Sequence, residues 1–378
     1  MTDTNHRILC CTCSRQNTID PSALRDALAR FADDGLAVDT VDDLCGLVAT
    51  IPETLKAALA DGNVTIVACA ARAVRCLLDQ ADIDSETVSI AGLRDASGTD
   101  VSARAHCPAE AGDSPPRPAG NALPLVVFLP GEHAGSLPGD QRAELQLALG
   151  ELGLPTRTPG CLCELASLAE QGPTIVLTAG EFPSAGPAPE AFRLVSAEGE
   201  PAEVAERAAA VARELGWVGR DEWTPWFPVI DRTLCTNCRQ CLGFCLFGTY
   251  DGSGDRVEVA RPAACKTNCP ACARVCPSGA IVFPKYDSAP VNGDVTDAPH
   301  AEPVQVDLKQ LMQSDVLARL RTRDAGQSDD AGEPCSCISR LTEQLGIPAD
   351  VVADLSADQQ QSLAGKATPT NPTPESET

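Results

Sequence analysis

Aromatic residues are scarce in this chain of 378 residues: eight phenylalanines, three tryptophans and two tyrosines. A large core must therefore come from Ala, Val, Leu and Ile, which suits layered α/β packing. Positive charge is short as well. Twenty-nine Lys and Arg face 53 Asp and Glu, giving a formal net charge of −24. Such a surface does not attract nucleic acid or anionic membrane; it suits a partner with a basic docking face or a high-salt cytoplasm, and solubility alone is the other reading. No run approaches the about 18–20 apolar residues of a membrane span. The opening MTDTNHRIL is not followed by the long apolar stretch of a secretory signal. A cytoplasmic protein without membrane insertion is expected. There is no G-x-G-x-x-G fingerprint for flavin or nicotinamide, and no P-loop. The four histidines (His6, His106, His133, His300) fall in loops or termini. No Ser/His/Asp set is visible, so no catalytic residue is assigned.

What is present first is an alternation of strand and helix signals. RILCC (7–11) and VTIVA (64–68) read as buried strands, and TVSIA (87–91) as a third. Asp20-Pro21 opens a helix as N-cap and first-turn proline. Leu24, Leu28 and Phe31 share one face of it, and Gly35 follows its end. A further helix is expected over 52–60. Residues 107–121 (CPAEAGDSPPRPAGN) read as a linker. The pattern then restarts: strands at 123–129, 174–178 and 192–196, and helices at 140–150 and about 201–215. Strands alternating with helices predict parallel sheets.

The two halves look alike. Asp43-Leu44-Cys45-Gly46-Leu47 precedes a helix and then VTIVAC. Gly160-Cys161-Leu162-Cys163-Glu164-Leu165 precedes a helix and then TIVLTA. A degenerate duplication at a spacing of roughly 120 residues is the reading. The expected organisation is an α/β domain at 1–106, the linker, a second α/β unit at 122–216, a cysteine-rich α+β domain at 217–286 and a tail at 287–378. Residues 217–228 hold all three tryptophans and are expected to pack the cysteine-rich domain onto the body; an aromatic cofactor box is the other reading. In the tail, a helix is expected over 307–321 and disorder over 322–334 and 366–378.

Nineteen cysteines stand out against these shortages. In a reducing compartment, clustered cysteines point to metal or redox chemistry rather than to disulfides. Residues 235–245 read CTNCRQCLGFC and residues 265–277 read CKTNCPACARVCP. Tight cysteine triplets suit three corners of an iron–sulfur cubane. Zinc usually takes paired C-x2-C or Cys/His mixtures, and remains the alternative.

The stretch resembles a bacterial-type two-cluster ferredoxin domain, with VIDRTLCTNCRQC as its entry and ARVCPSGAIVF as its cysteine–proline exit. The resemblance implies two [4Fe-4S] clusters, because in that family the fourth cysteine of each run ligates the other cluster. One cluster would take Cys235, Cys238, Cys241 and Cys276. The other would take Cys265, Cys269, Cys272 and Cys245. Two departures stand out: an extra residue in Lys266-Thr267-Asn268, and Leu246 instead of proline after Cys245.

Strand ends in a parallel sheet face a common crevice, so Cys11, Cys13, Cys45 and Cys69 could converge, with Cys10 and Cys76 near. The strand ending in C-x-C, the lone cysteine and the Ala68-Cys69-Ala70-Ala71-Arg72 run resemble the N-terminal domain of the flavin-containing subunit of heterodisulfide reductase. That resemblance implies a third [4Fe-4S] cluster on Cys11, Cys13, Cys45 and Cys69. A redox dithiol, another metal, or small-hydrophobe packing are the other readings. For Cys107, Cys161, Cys163, Cys335 and Cys337, free thiols are expected. The functional expectation is an iron–sulfur electron-transfer protein working with a redox protein partner. The alternatives are a disulfide-reductase-like catalytic subunit, or a structural or redox-sensing protein.

Overall fold

The computed structural model describes residues 6–16, 18–60, 63–94, 116–120, 123–130, 133, 135–183, 191–219 and 223–294. All of them fall within one compact unit. The expected tail elements at 307–321, 322–334 and 366–378 lie outside the described residues, as do Cys107, Cys335, Cys337, His106 and His300.

The apolar β-branched runs form strands as their composition dictates. In the first half these are β1 (Arg7–Cys11), β2 (Ala37–Val41), β3 (Val64–Ala68) and β4 (Ser89–Gly92). The second half supplies β5 (Leu125–Phe128), β6 (Thr156–Thr158), β7 (Thr174–Thr178) and β8 (Arg193–Ser196). All eight join one sheet in the order β4-β3-β1-β2-β6-β5-β7-β8. Pairing is parallel within each half, and antiparallel only where β2 meets β6. Each half thus has its fourth, third, first and second strand side by side in that order. The antiparallel joint sends the C-terminal edges of the halves to opposite sides of the sheet.

The helices between strands are α1 (Pro21–Asp33), α2 (Leu44–Thr50), α3 (Pro52–Leu59), α4 (Ala71–Gln80), α5 (Gly139–Leu152), α6 (Glu164–Gln171) and α7 (Pro201–Glu214). Asp20 caps α1 by accepting from the Ser22 and Ala23 amides, as expected of an acidic N-cap. Cys45 precedes the helix expected at 52–60, which is α3. It also lies in the first turn of a further short helix, α2, where Asp43 takes the N-cap position and accepts from the Gly46 amide. Helices α1 and α5 pack together across the joint. Gly139 permits this, since a Cβ there would lie 2.8 Å from the Ala29 carbonyl oxygen.

Strands β2 and β6 are absent from the sequence reading. Both carry a charge at their centre. Asp39 and Arg157 face each other in the β2–β6 register. They form a bidentate pair, with Nε–Oδ1 at 2.6 Å and Nη2–Oδ2 at 2.7 Å. Arg7 adds a bond to Asp39 at 3.2 Å and another to Glu164 at 2.8 Å. All four side chains are buried. The end of the segment read as a linker is likewise packed. Arg117 is 1% exposed and donates to Thr174 Oγ1 and to the carbonyls of Leu123, Leu168, Gly172 and Pro173.

Asp39→Ala is expected to strand Arg157 and half of Arg7 in a dry joint. Breaking a buried pair in this way costs about 3–5 kcal/mol, read as a lowered urea midpoint. Adding Arg157→Met removes the orphaned cation and should recover part of that loss.

Candidate metal centres

The cysteine-rich segment starts at β9 (Val229–Ile230) and ends at β12 (Ile281–Val282), which pair antiparallel. This pairing returns Cys276, at the end of the second run, to the start of the first. Between them lie α8 (Gln240–Phe244), the β10 (Tyr250–Asp251) and β11 (Glu258–Val259) hairpin, and α9 (Ala271–Val275). The cysteine loops turn sharply. Asn237 and Asn268, each directly before the second cysteine of its run, have φ of 54° and 60°. Asparagine tolerates this left-handed region better than most residues. The Asn237 side chain also accepts from the Val257 amide and donates to the Asp255 carbonyl, tying the loop to the hairpin.

The eight thiols surround two voids. Cys235, Cys238, Cys241 and Cys276 line one. Cys245, Cys265, Cys269 and Cys272 line another that opens to solvent. In each set, three cysteines come from one run and the fourth from the other. The Ala280 amide donates to Cys276 Sγ at 3.3 Å. At the second void, the Tyr250 hydroxyl is buried and holds no hydrogen bond of good geometry to a protein nitrogen or oxygen. Burial, followed by the neighbouring Cys272 thiol, drives its pKa far above that of an ordinary tyrosine.

A third void is lined by Cys11, Cys13, Cys45 and Cys69. All four are buried. It sits where β1 and β3 end side by side and their connections leave in opposite directions, the switch point at which open α/β sheets form a crevice. Cys13 turns into this space with φ of 50°. The Leu44 amide donates to Cys11 Sγ at 3.3 Å, and Cys13 Sγ lies 2.7 Å from Thr18 Oγ1. The hydrogen bond from Cys11 and then the Lys285 charge outweigh burial, and hold Cys13 at about 7. Burial pushes Cys45 well up and Cys69 to about 11. At the equivalent point of the second half, Gly135 (φ 83°) fits so closely against Thr178 that a Cβ would collide with its hydroxyl.

The cysteine-rich segment supplies part of this third site. Pro284 and Lys285 complete its lining. Lys285 Nζ is paired with the Asp43 carboxylate, and both side chains are only 3% exposed. Burial alone would lower the lysine, but the Cys45 and Asp43 charges outweigh it and raise its pKa. No pattern in the sequence marks Lys285 or Tyr250, since each acts through a contact with residues far along the chain or across the segment. Arg72, part of the N-terminal motif, reaches out of the first half to Asp231 at 2.8 Å and to the Gly279 carbonyl at 2.9 Å. Trp226 packs at a tilt against Phe283 and edge-on to Tyr286 in the core shared by the first half and the cysteine-rich segment. Trp217 belongs to a core of the second half.

Cys10 and Cys76 are buried and do not line the third void. Free thiols were expected at Cys161 and Cys163. The structure corrects this: the two are joined as a disulfide, because the turn between β6 and α6 brings them together. Among the described residues, no three His, Cys, Asp or Glu side chains converge on a point that would hold a single metal ion.

Two proteins of Methanocaldococcus jannaschii, each named as an uncharacterized ferredoxin, are similar to this chain. One is 43% identical over 60 residues, which is 16% of this chain and 41% of the relative. The other is 43% identical over 54 residues, which is 14% of this chain and 86% of the relative. The chain belongs to the ferredoxin family. This ferredoxin spans about two fifths of the first relative and most of the second. No family profile and no solved structure matches it. The likeness of its first 106 residues to the heterodisulfide reductase subunit rests on the cysteine motif alone.

Among the thiols of this ferredoxin, Cys76 offers a clean pH test. Burial, then the Asp231 charge, raises it from 9.0 to about 12. At about pH 10 the native protein should leave Cys76 unmodified by iodoacetamide, while the denatured chain labels with a midpoint near 9, followed by mass spectrometry. The sign for stability follows: only the unfolded thiol ionises between 9 and 12, so this group's contribution is lost as pH rises through that window.

Proposed function

We propose that this ferredoxin is a single-electron relay built to hold three [4Fe-4S] clusters. The observation that carries this reading is the grouping of twelve cysteines, four by four, around three separate voids. Cys235, Cys238, Cys241 and Cys276 would hold one cluster, and Cys265, Cys269, Cys272 and Cys245 a second. Cys11, Cys13, Cys45 and Cys69 would hold the third. The donor sets are all thiol, as cubane clusters require. A single tetrahedral zinc, with Zn–S near 2.3 Å, would draw four sulfurs to within about 3.8 Å of one another. Among the described residues, no three His, Cys, Asp or Glu side chains are grouped to hold such a single ion.

Such clusters supply reversible one-electron oxidation and reduction. The chain's own residues do the rest. The crossed fourth ligands, Cys276 and Cys245, keep the first two sites close together. The Leu44 and Ala280 amides donate to ligand sulfurs and favour their negative charge. Lys285 brings a buried positive charge to the third site. The Tyr250 hydroxyl, short of a partner, is suited to donate toward sulfur at the second site. The shared strand order of the two halves supports their origin by duplication, with the second copy keeping a structural role.

Iron and acid-labile sulfide on anaerobically purified protein test the reading. Three clusters predict about twelve irons per chain, and Cys45→Ala should lower this to about eight. About eight irons in both proteins would confine electron transfer to the two ferredoxin runs, and zinc in place of iron would sink the proposal. With the clusters in place, Tyr250→Phe should keep the iron content and make one potential more negative, since it removes a donor to sulfur. An EPR-monitored redox titration reads the shift.

A further inference from the structure

The three voids are not equivalent with respect to solvent. Helix α4 faces the third void with Ala73, Val74 and Leu77. From its first turn, Arg72 bonds Asp231 and Gly279, which flank Cys235 and Cys276. The first void therefore adjoins the third across α4. The second void opens outward, and its rim is apolar: Leu246 is 92% exposed, Phe244 50% and Phe247 43%. Three large apolar side chains together at the mouth of a redox site differ from scattered surface hydrophobes, and mark an interaction surface.

The charge around this lip runs against the rest of the chain. Residues 228–286 carry seven Lys and Arg against four Asp and Glu, whereas the whole chain carries 29 against 53. With the buried Lys285–Asp43 pair, the Arg72–Asp231 pair and the Arg256–Glu258 pair set aside, Arg232, Arg239, Arg261, Lys266 and Arg274 stand against Asp251 and Asp255. Asp251 and Asp255 remain in the hairpin. Arg261 sits directly beside the lip, with Nε donating to the Gly248 carbonyl at 2.8 Å. Lys266 lies between the lining residues Cys265 and Cys269, and both cations are exposed. Whole-chain acidity suggests a basic partner, but the charge local to this mouth suggests the opposite.

We propose that Phe244, Leu246 and Phe247, with Arg261 and Lys266, form the docking site of an acidic electron-carrier protein. The carrier exchanges one electron with the site framed by Cys245, Cys265, Cys269 and Cys272. In that step one reduced carrier loses one electron, the docked site gains it, and no bond is made or broken. This proposal rests on the cluster reading above.

Stopped-flow electron exchange with the iron-loaded full chain tests it, with reduced flavodoxin as the acidic donor and oxidised cytochrome c as the basic acceptor from the reduced chain. The flavodoxin rate should rise several-fold as salt is lowered, despite the net charge of −24. Arg261→Glu with Lys266→Glu should reverse that salt dependence, and Leu246→Ser should slow the reaction about tenfold. Iron content should stay at the wild-type value in all variants. Full iron, a flavodoxin rate that falls at low salt and no effect of the charge reversal would overturn the docking site alone. Absence of iron from the wild-type chain would instead sink the cluster reading beneath it. Self-association that Leu246→Ser abolishes in sedimentation would reassign the lip to a contact between copies, and the proposal would fall.

Discussion

The joint between β2 and β6 governs everything else in this molecule. Asp39 and Arg157 meet there as directly opposed residues of an antiparallel pair, with Arg7 and Glu164 extending the network. A buried ion network of this kind is a poor source of stability compared with apolar packing, but it punishes misregister severely. Sliding either strand by one residue would turn a charge away from its partner while keeping it out of water. The network therefore specifies one alignment of the halves. With that alignment, the C-terminal edge of the first half and that of the second lie at opposite margins of the sheet.

That separation explains why the halves, alike in strand order, differ so much in chemistry. The ferredoxin segment packs against the first half and shares its core. It lends Pro284 and Lys285 to the thiol-lined void at the ends of β1 and β3. The second half faces the other way. Its equivalent crevice is filled by Gly135 against Thr178, and its own C-x-C pair is closed as a disulfide. Arg72 and Lys285 are two of the cross-connections between body and segment, one to Asp231 and one to Asp43. Arg72, three residues after Cys69, reaches Asp231, four residues before Cys235, so this contact both seats the segment and brings those two thiol sets near one another.

Much of the site was legible because its determinants are local. The two cysteine runs carry their spacing in consecutive residues, and the return of Cys276 to Cys235 needs only the short β9–β12 pairing. The N-terminal thiols were legible for a different reason. Parallel strands end on one edge, so Cys11, Cys13 and Cys69 had to emerge together. Strands 37–41 and 156–158 were not legible. Asp39 and Arg157 break the apolar pattern that marks a buried strand, and each becomes tolerable there only because the other is present. The bond between Cys161 and Cys163 and the burial of Arg117 escaped for the same kind of reason: an isolated cysteine pair or a Pro-rich stretch does not state what will close around it.

By itself, then, the sequence determined most of the element types in each half, the grouping of the cysteines into runs and strand ends, and the excess of acidic charge. These depend on periodicity and spacing within a few residues. Only the tertiary structure decided that two α/β units would become one eight-stranded sheet, that Lys285 would sit at the thiols of the first half, and that the mouth of the second void would be apolar and rimmed by Arg261 and Lys266. Those features depend on pairs of residues tens to hundreds of positions apart. Their energy comes from desolvation and charge complementarity, which exist only once the chain has brought them together.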